Sequence, residues 1–177
     1  EFNAQALLKG SIFKAKVSRV ETSLDAAFVN FGSERHGFLP LKELSNEYFA
    51  NGADGKRKCT LQEGDEILVQ VLKEERGTKG AALSNQISLA GRFIVLIPNS
   101  EKSGGVSRRI AGEERDDIKN ALNELTIPEG MSVIVRTAGL GRSSEELKWD
   151  LDYLMNLWDQ IKSTVGDAPS PSLIFKD

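Results

Sequence analysis

Residues 11–20 are Ser11-Ile12-Phe13-Lys14-Ala15-Lys16-Val17-Ser18-Arg19-Val20, and their alternation is the plainest structural signal in the chain. Successive side chains of a β-strand point to opposite faces. Lys14 and Lys16 therefore share one face with Ile12, whereas Phe13 and Val17 share the other. The pattern predicts a strand whose cationic residues lie on a mostly accessible face.

Working outward, four further segments have the composition of short strands: residues 26–32, 37–40, 66–73 and 81–89. Residues 41–48 have helical spacing but little length, and residues 50–64 have the composition of a loop. Five short strands with a helical interruption after the third are typical of a small closed barrel of the OB type. We therefore predict a five-stranded OB-type β-barrel over residues 10–89, preceded by a lead-in of residues 1–9.

The second half of the chain mixes strands with longer helices. Apolar runs predict strands at 93–98, 106–110 and 132–135, and residues 112–125 have the pattern of a helix. Ser143 and Glu146 form a capping-box pattern before a long helix. Its apolar stripe is Leu147, Leu151, Leu154, Trp158 and Ile161. The order predicts a small α+β domain over residues 90–166 and a tail over 167–177, so the whole chain is of the α+β class.

Composition excludes several classes of protein. The 177 residues have a formal net charge of -3, so binding to nucleic acid would require a local basic patch. The single cysteine, Cys59, excludes an internal disulfide and a cysteine-based metal site within these residues, and we expect an exposed thiol. No secretory signal or membrane span is evident, which favours a cytoplasmic protein. The first residue is Glu1, so we expect a piece of a longer protein.

Chemical groups for catalysis are few. His36 is the only histidine, and no serine or cysteine nucleophile stands in a recognisable frame with it. The carboxylate pairs at 116–117 and 145–146 fall in first helical turns, where the helix dipole explains them. Asp150 and Asp152 are expected on a solvated face. We predict no catalytic residue and no metal ligand in this chain.

Residues 134–141, Ile-Val-Arg-Thr-Ala-Gly-Leu-Gly, are interpreted as a buried strand that ends in a flexible turn. Arg136, the Thr137 hydroxyl and backbone N–H groups near Gly139 and Gly141 are the kinds of donor that hold a phosphate. A solvated strand end with a surface arginine explains the same pattern. A nucleotide-hydrolysing site is disfavoured, because Arg142 stands where a phosphate-binding loop has lysine.

The barrel half has the residue types that bind single-stranded RNA. Aromatic rings stack on bases while nearby cations hold the backbone. Phe28, Phe31 and Phe38 lie on predicted strands, with Lys79 and the lysines of the first strand as candidate cations. Because Phe28 and Phe31 are three residues apart, a regular strand points them to opposite faces, and we expect at least one in the core. Stacking and core packing stay open for these rings.

Several ordered segments resemble the amino-terminal region of the bacterial ribonuclease E/G family, and ribonuclease E more than ribonuclease G. The segments are Ala26-Ala27-Phe28-Val29, Glu34-Arg35-His36-Gly37-Phe38-Leu39-Pro40-Leu41-Lys42-Glu43, Lys73-Glu74-Glu75-Arg76-Gly77, Lys79-Gly80-Ala81-Ala82-Leu83, Ile87-Ser88-Leu89-Ala90-Gly91, Ser107-Arg108-Arg109-Ile110 and Ile134-Val135-Arg136-Thr137-Ala138-Gly139. They extend over nearly the whole chain with compatible spacing.

The resemblance implies an S1-type OB domain followed by a 5′-sensor domain, both inserted in a split RNase H-like subdomain. It implies contacts with single-stranded RNA from Phe28, Phe31, Phe38 and Lys79. It also implies a pocket for a 5′-monophosphate formed by Gly91, Val95, Arg108, Arg136 and Thr137. Phe31 stands where the family usually has tyrosine, and the loop around residues 50–60 is shorter than in the enterobacterial form. Residues 171–175 resemble the start of the return to the RNase H-like subdomain.

The resemblance further implies that the parent protein is a Mg²⁺-dependent endoribonuclease of RNA processing and mRNA decay. Its catalytic carboxylates and its structural Zn²⁺ link would lie downstream of these residues. The parent would be a homotetramer within an RNA-degrading complex, cytoplasmic or held at the inner face of the cytoplasmic membrane through other regions. The alternative is a free-standing OB-fold module that binds RNA with no nuclease attached.

Overall fold

The computed structural model describes residues 9–100, 105–106 and 110–176. Two compact units divide the chain: the first ends at Gln86 and resumes at Ile161, and the second is Ile87–Gln160. The described strands are β1 (Ile12–Glu21), β2 (Ala26–Asn30), β3 (Gly37–Pro40), β4 (Phe49–Asn51), β5 (Arg57–Cys59), β6 (Glu66–Lys73), β7 (Ala82–Ser84), β8 (Leu89–Ala90), β9 (Ile94–Ile97), β10 (Gly105–Val106), β11 (Ser132–Val135) and β12 (Ser172–Phe175). The α-helices are α1 (Gly112–Asn123) and α2 (Ser144–Asp167).

The first unit is a closed barrel of five strands. They pair in the order β1-β2-β3-β7-β6, and β6 pairs back with β1. The β3–β7 pair is parallel, whereas the other pairs around the barrel are antiparallel. Full closure leaves no open edge around the ring of strands. The predicted OB-type barrel is confirmed.

The alternation in β1 produces the core on one side. Phe13 and Val17 are buried, while Lys16 is exposed. The expected accessibility of the other face is wrong at its start, because β6 and β12 both pair with this part of β1. Ile12 is consequently buried, and the partly buried Lys14 donates from Nζ to two backbone carbonyls of the first unit, those of Val165 and Ala168, each at 2.8 Å.

Three local predictions for the first unit are corrected. The predicted loop at 50–64 contains the β4–β5 hairpin, in which Cys59 is only partly exposed. The helical spacing at 41–48 yields two 3-10 turns, Leu41–Glu43 and Asn46–Tyr48. The strand predicted at 81–89 is β7, which stops at Ser84. The next residue, Asn85, is buried and binds backbone with its side chain: its Oδ1 accepts from Ser45 N and its Nδ2 donates to Leu68 O.

The second unit contains a four-stranded sheet in the order β10-β11-β9-β8, together with α1 and most of α2. The apolar stripe predicted for α2 is buried throughout: Leu147, Leu151, Leu154, Trp158 and Ile161. The capping box is also present, since Glu146 N donates to Ser143 Oγ at 3.2 Å and Ser143 N donates to Glu146 Oε1 at 3.3 Å. These contacts hold the pKa of the Glu146 carboxyl below its usual value.

Candidate nucleic-acid interface

A groove of about 630 Å³ lies on the outside of the barrel, and we call it the aromatic groove. It is lined by Ser18, Arg19, Phe28, Arg35, His36, Phe38, Arg76, Thr78, Lys79, Gly80 and Ala82. Four of these residues are cationic and none is acidic. The chain's net charge is negative, yet this surface has the local excess of positive charge that nucleic-acid binding requires.

Two phenylalanines form the floor of the aromatic groove. Phe28 of β2 and Phe38 of β3 are directly opposite in the antiparallel register, with ring centres 5.8 Å apart and planes at 72°. The guanidinium of Arg19 lies over Phe28, with Cζ 4.5 Å from the ring centre. Phe38 is 37% exposed despite its size. The cross-strand register thus brings Phe28 and Phe38 onto one accessible surface.

Phe31 does not belong to this surface. Its side chain is fully buried, and its ring meets that of Phe13 edge-on with centres 5.3 Å apart. Phe28 and Phe31 therefore point to opposite sides of the barrel wall, as their spacing predicted. The implied RNA contact of Phe31 is corrected, because a ring inside the core cannot stack on a base.

Lys79, a candidate cation in the sequence, is presented by a tight turn. Arg76 and Lys79 exchange backbone hydrogen bonds of 3.1 and 2.9 Å. Gly77 within the turn has a φ of 56°, a conformation that favours glycine. Arg35 Nη1 donates to Gly77 O at 2.7 Å, and so fixes the turn from the opposite strand connection. Arg35 is therefore a positioning residue for Lys79.

His36 occupies the neighbouring part of the aromatic groove. Its Nδ1 shares a hydrogen bond of 2.7 Å with Ser18 Oγ of β1. A Cβ atom on Gly80 would collide with the backbone oxygen of His36, so the two segments approach more closely than any side chain would allow. The only histidine of the chain thus lines the aromatic groove, where its ring is fixed by the Ser18 hydroxyl.

In the second unit, three adjacent strands bring most of the predicted phosphate-binding residues together. Gly91 follows β8, Val95 lies in β9, and Arg136 follows β11, whose last residue is Val135. Val95 pairs with Ala90 on one side and with Ile134 on the other. Arg136 Nη1 donates to Gly91 O at 2.8 Å, and its side chain is otherwise exposed. The predicted position of Arg136 at a strand end is confirmed.

The turn that follows Arg136 contains a further member of the predicted pocket. Thr137 is exposed and begins a 3-10 turn, Thr137–Gly139, directly after Arg136. The backbone N–H of Gly139 is used within this turn, donating to Arg136 O at 2.8 Å, so it is not a free phosphate donor. Arg108 lies outside the described residues.

Asp150 was expected on a solvated face, and this expectation is wrong. Its carboxylate is nearly buried and accepts hydrogen bonds from three successive backbone N–H groups: Arg92 at 3.1 Å, Phe93 at 2.9 Å and Ile94 at 3.0 Å. The signal was present in the sequence, since Asp150 lies three residues after Leu147 and four before Leu154, on the stripe that faces the core. Asp150 shapes the loop that presents Gly91.

The described residues contain no group of three or more histidine, cysteine, aspartate or glutamate side chains arranged to hold a metal ion. In the same part of the chain, no helix combines the length and apolar character needed to cross a membrane.

The OB-type barrel with its cationic, aromatic groove is of the S1 type, since residues 7–85 match the S1 RNA binding domain. Residues 88–177 match the Ribonuclease E/G family. The chain belongs to the Ribonuclease E/G family.

Relatives of known name agree with this assignment. The chain is 53% identical to Ribonuclease E of Escherichia coli (strain K12) over 173 residues, covering 96% of this chain and 16% of that protein. It is 52% identical to Ribonuclease E of Haemophilus influenzae over 174 residues, covering 96% of the chain and 18% of that protein. Ribonuclease G of Haemophilus influenzae is 34% identical over 182 residues, covering 99% of the chain and 37% of that protein. The chain thus spans less than a fifth of the length of these two ribonuclease E proteins.

Proposed function

We propose that this chain is the RNA-recognition part of a ribonuclease E-like endoribonuclease that acts in cytoplasmic RNA processing and decay. The aromatic groove is the observation that supports this function best. Phe28 and Phe38 offer rings on which bases stack, and each such contact contributes about 1–3 kcal/mol. Arg19, Arg76 and Lys79 offer cations to the phosphates. Such a surface fits single-stranded RNA, whose bases are free to leave their own stack.

The second unit would bind the 5′ end of the same RNA. Arg136 presents a planar guanidinium at the end of β11, beside the exposed Thr137 hydroxyl and the Gly91 carbonyl to which it is bonded. A guanidinium binds a terminal monophosphate through two parallel hydrogen bonds, which a 5′-hydroxyl cannot accept. Val95, Gly91 and Arg108 complete the proposed pocket. Engagement of both units would fix the strand at two points and raise its effective concentration.

Cleavage would take place in other parts of the parent protein. There, Mg²⁺ bound to carboxylates would activate water for hydrolysis of the phosphodiester bond. A zinc link between subunits, a homotetramer and an RNA-degrading complex are further properties that we propose for the parent alone. For the present chain we propose binding without catalysis. A free-standing OB-fold module would bind RNA in the same groove but would show no preference for the 5′ end.

The test compares one short unstructured RNA with a 5′-monophosphate or a 5′-hydroxyl, binding to the 177-residue chain. Phe38→Ala should weaken the binding of both RNAs about tenfold or more. Leu72→Ala is the matched control, because Leu72 is also an apolar side chain with 37% exposure and lies outside the aromatic groove. Equal binding by wild type and Phe38→Ala would contradict RNA binding in this groove.

The 5′-end proposal has its own variant. Arg136→Ala should abolish the preference for the monophosphate while leaving binding of the hydroxyl RNA unchanged. Lys148→Ala removes an exposed cation elsewhere in the second unit and should preserve the preference. No preference in the wild-type chain would leave the barrel as the sole RNA-binding element, which is the free-standing alternative.

A further inference from the structure

A second groove, of about 940 Å³, lies on the other side of Phe38. We call it the hairpin groove, because the β4–β5 hairpin contributes Phe49, Arg57, Lys58 and Cys59 to its lining. Phe38 lines both grooves. Consecutive residues of β1 also divide between them, with Arg19 in the aromatic groove and Val20 in the hairpin groove. The two grooves therefore adjoin at Phe38 and at this part of β1.

The charge of the hairpin groove suits a polyanion. Lys42, Arg57 and Lys58 line it and are exposed, whereas Asp25 is the one acidic residue in its lining. Apolar surface lies beside these cations, since Leu24 of the same lining is 58% exposed. Cations interleaved with apolar and aromatic surface are the features that hold a single strand by its phosphates and bases together.

Arg57 is held in place before any ligand arrives. Its Cζ lies 4.2 Å from the ring centre of Phe49, and its Nη2 donates to Asn46 Oδ1 at 2.6 Å. The hairpin register supports this placement, because Arg57 pairs with Asn51 directly beside the turn that joins the two strands. A guanidinium already fixed by stacking and a hydrogen bond loses less conformational freedom when it binds a phosphate.

We propose that the hairpin groove binds the nucleotides that continue past Phe38 from the aromatic groove. Lys42, Arg57 and Lys58 would contact their phosphates, while Leu24 and the second face of Phe38 would contact a base. This inference rests on the proposed binding of single-stranded RNA in the aromatic groove and extends it. It assigns the predicted loop at 50–64 a direct part in recognition and predicts a longer binding site than the aromatic groove alone provides.

The experiment measures affinity for unstructured RNAs of about 4 and about 12 nucleotides, lengths within the range that one OB fold binds. Both RNAs have 5′-hydroxyl ends, so the Arg136 pocket does not contribute. Each affinity is measured against salt concentration with the 177-residue chain. The double variant Arg57→Ala, Lys58→Ala should bind the long RNA about tenfold more weakly. It should also reduce the slope of log affinity against log salt concentration by about 1.4, which corresponds to two lost phosphate contacts. The short RNA should bind both proteins equally.

Lys56→Ala is the matched control, since Lys56 belongs to the same basic run and is exposed but does not line the hairpin groove. It should change the slope for the long RNA by much less. Lys42→Ala, outside the hairpin, gives the same test in case the double variant misfolds. Unchanged affinity and slope for the long RNA in these variants would overturn the inference while leaving RNA binding intact. Absence of binding of either RNA to the wild-type chain would overturn both.

Discussion

The carboxylate of Asp150 lies directly against Gly91: a Cβ atom added to Gly91 would stand 2.6 Å from Asp150 Cγ. The same carboxylate accepts the backbone N–H groups of the three residues that follow Gly91. An anion on α2 thus fixes the backbone loop whose carbonyl receives Arg136. Asp150 therefore helps to position Arg136, the residue proposed to bind the phosphate, although Asp150 itself would not touch the phosphate.

Asp150→Asn should destabilise the second unit. The amide would accept fewer of the three hydrogen bonds and would place a donor among donors, at a cost of about 1–3 kcal/mol. The measurement is the free energy of unfolding from denaturant titration. Asp152→Asn is the control, because Asp152 is exposed on the same helix and lies 3.9 Å from Lys148. Equal stability of wild type and Asp150→Asn would show that the three contacts contribute nothing.

Gly91→Ala should also lower stability, for a steric reason. The new methyl group would displace the Asp150 carboxylate, at a cost of roughly 1–3 kcal/mol. Thermal unfolding measures the effect. Gly166→Ala is a useful contrast, since a Cβ there would meet nothing within 4 Å and alanine favours the helix. A Gly91→Ala protein as stable as wild type would mean that the loop and the carboxylate separate easily.

Arg19→Ala should weaken RNA binding about two- to fivefold, because the guanidinium over Phe28 would no longer support a stacked base or contact a phosphate. Fluorescence anisotropy with a short single-stranded RNA measures this. Glu21→Gln is the control: it removes the carboxylate 3.1 Å from Arg19 Nε and leaves the guanidinium over the ring. Its affinity should match or exceed that of wild type. Loss of affinity in Glu21→Gln alone would argue against the role of the cation.

Stability should fall in strongly alkaline solution because of Tyr48. Burial raises the pKa of Tyr48 to about 12, and the carboxylates of Glu47 and Asp65 add to the effect. In the unfolded chain a tyrosine titrates near pH 10, so between about pH 10 and 12 the unfolded state releases a proton that the folded state keeps. The free energy of unfolding should therefore fall as pH rises through this window, and not below it.

Since Tyr48 is only half-buried, its contribution to this fall should be about 1 to 2 kcal/mol. Urea titrations at pH 9 and 11.5 measure it by comparison with Tyr48→Phe, which removes the hydroxyl. Tyr153→Phe is the control, because Tyr153 is 63% exposed on α2. The difference between wild type and Tyr48→Phe should depend on pH, and a constant difference would contradict the assigned cause.

Period-2 and period-3.6 patterns allowed the barrel and α2 to be predicted from sequence, because each has one buried face. Phe13 and Val17 on β1 and Leu147 and Leu151 on α2 are buried as the patterns require. What the patterns missed depends on tertiary pairing. Lys14 looked accessible because nothing in its own strand shows that backbone carbonyls from near the other end of the chain cover it.

The candidate site was partly predictable for the same reason. The position of Arg136 at a strand end could be predicted from the apolar run that precedes it. That Phe28 and Phe38 are neighbours follows from the cross-strand register once the barrel is known. Arg35 and Asn85 act by binding backbone groups far away in sequence. The composition of the chain contains no signal for such contacts. The hairpin at 49–59 has too few apolar residues for a strand pattern to predict it.

The pairing of β12 with β1 has a consequence for the order of assembly during synthesis. Lys14 and the carbonyl of Val165 are 151 residues apart, yet both belong to the barrel unit. On the ribosome, β1 can pair with β2 and β6 early, but the edge of its first residues that pairs with β12 must wait until the whole second unit has been translated. Because closing a long loop costs entropy, this last strand is expected to join late. A nascent chain that ends before residue 172 would therefore expose an unpaired strand edge, open to pairing with another chain.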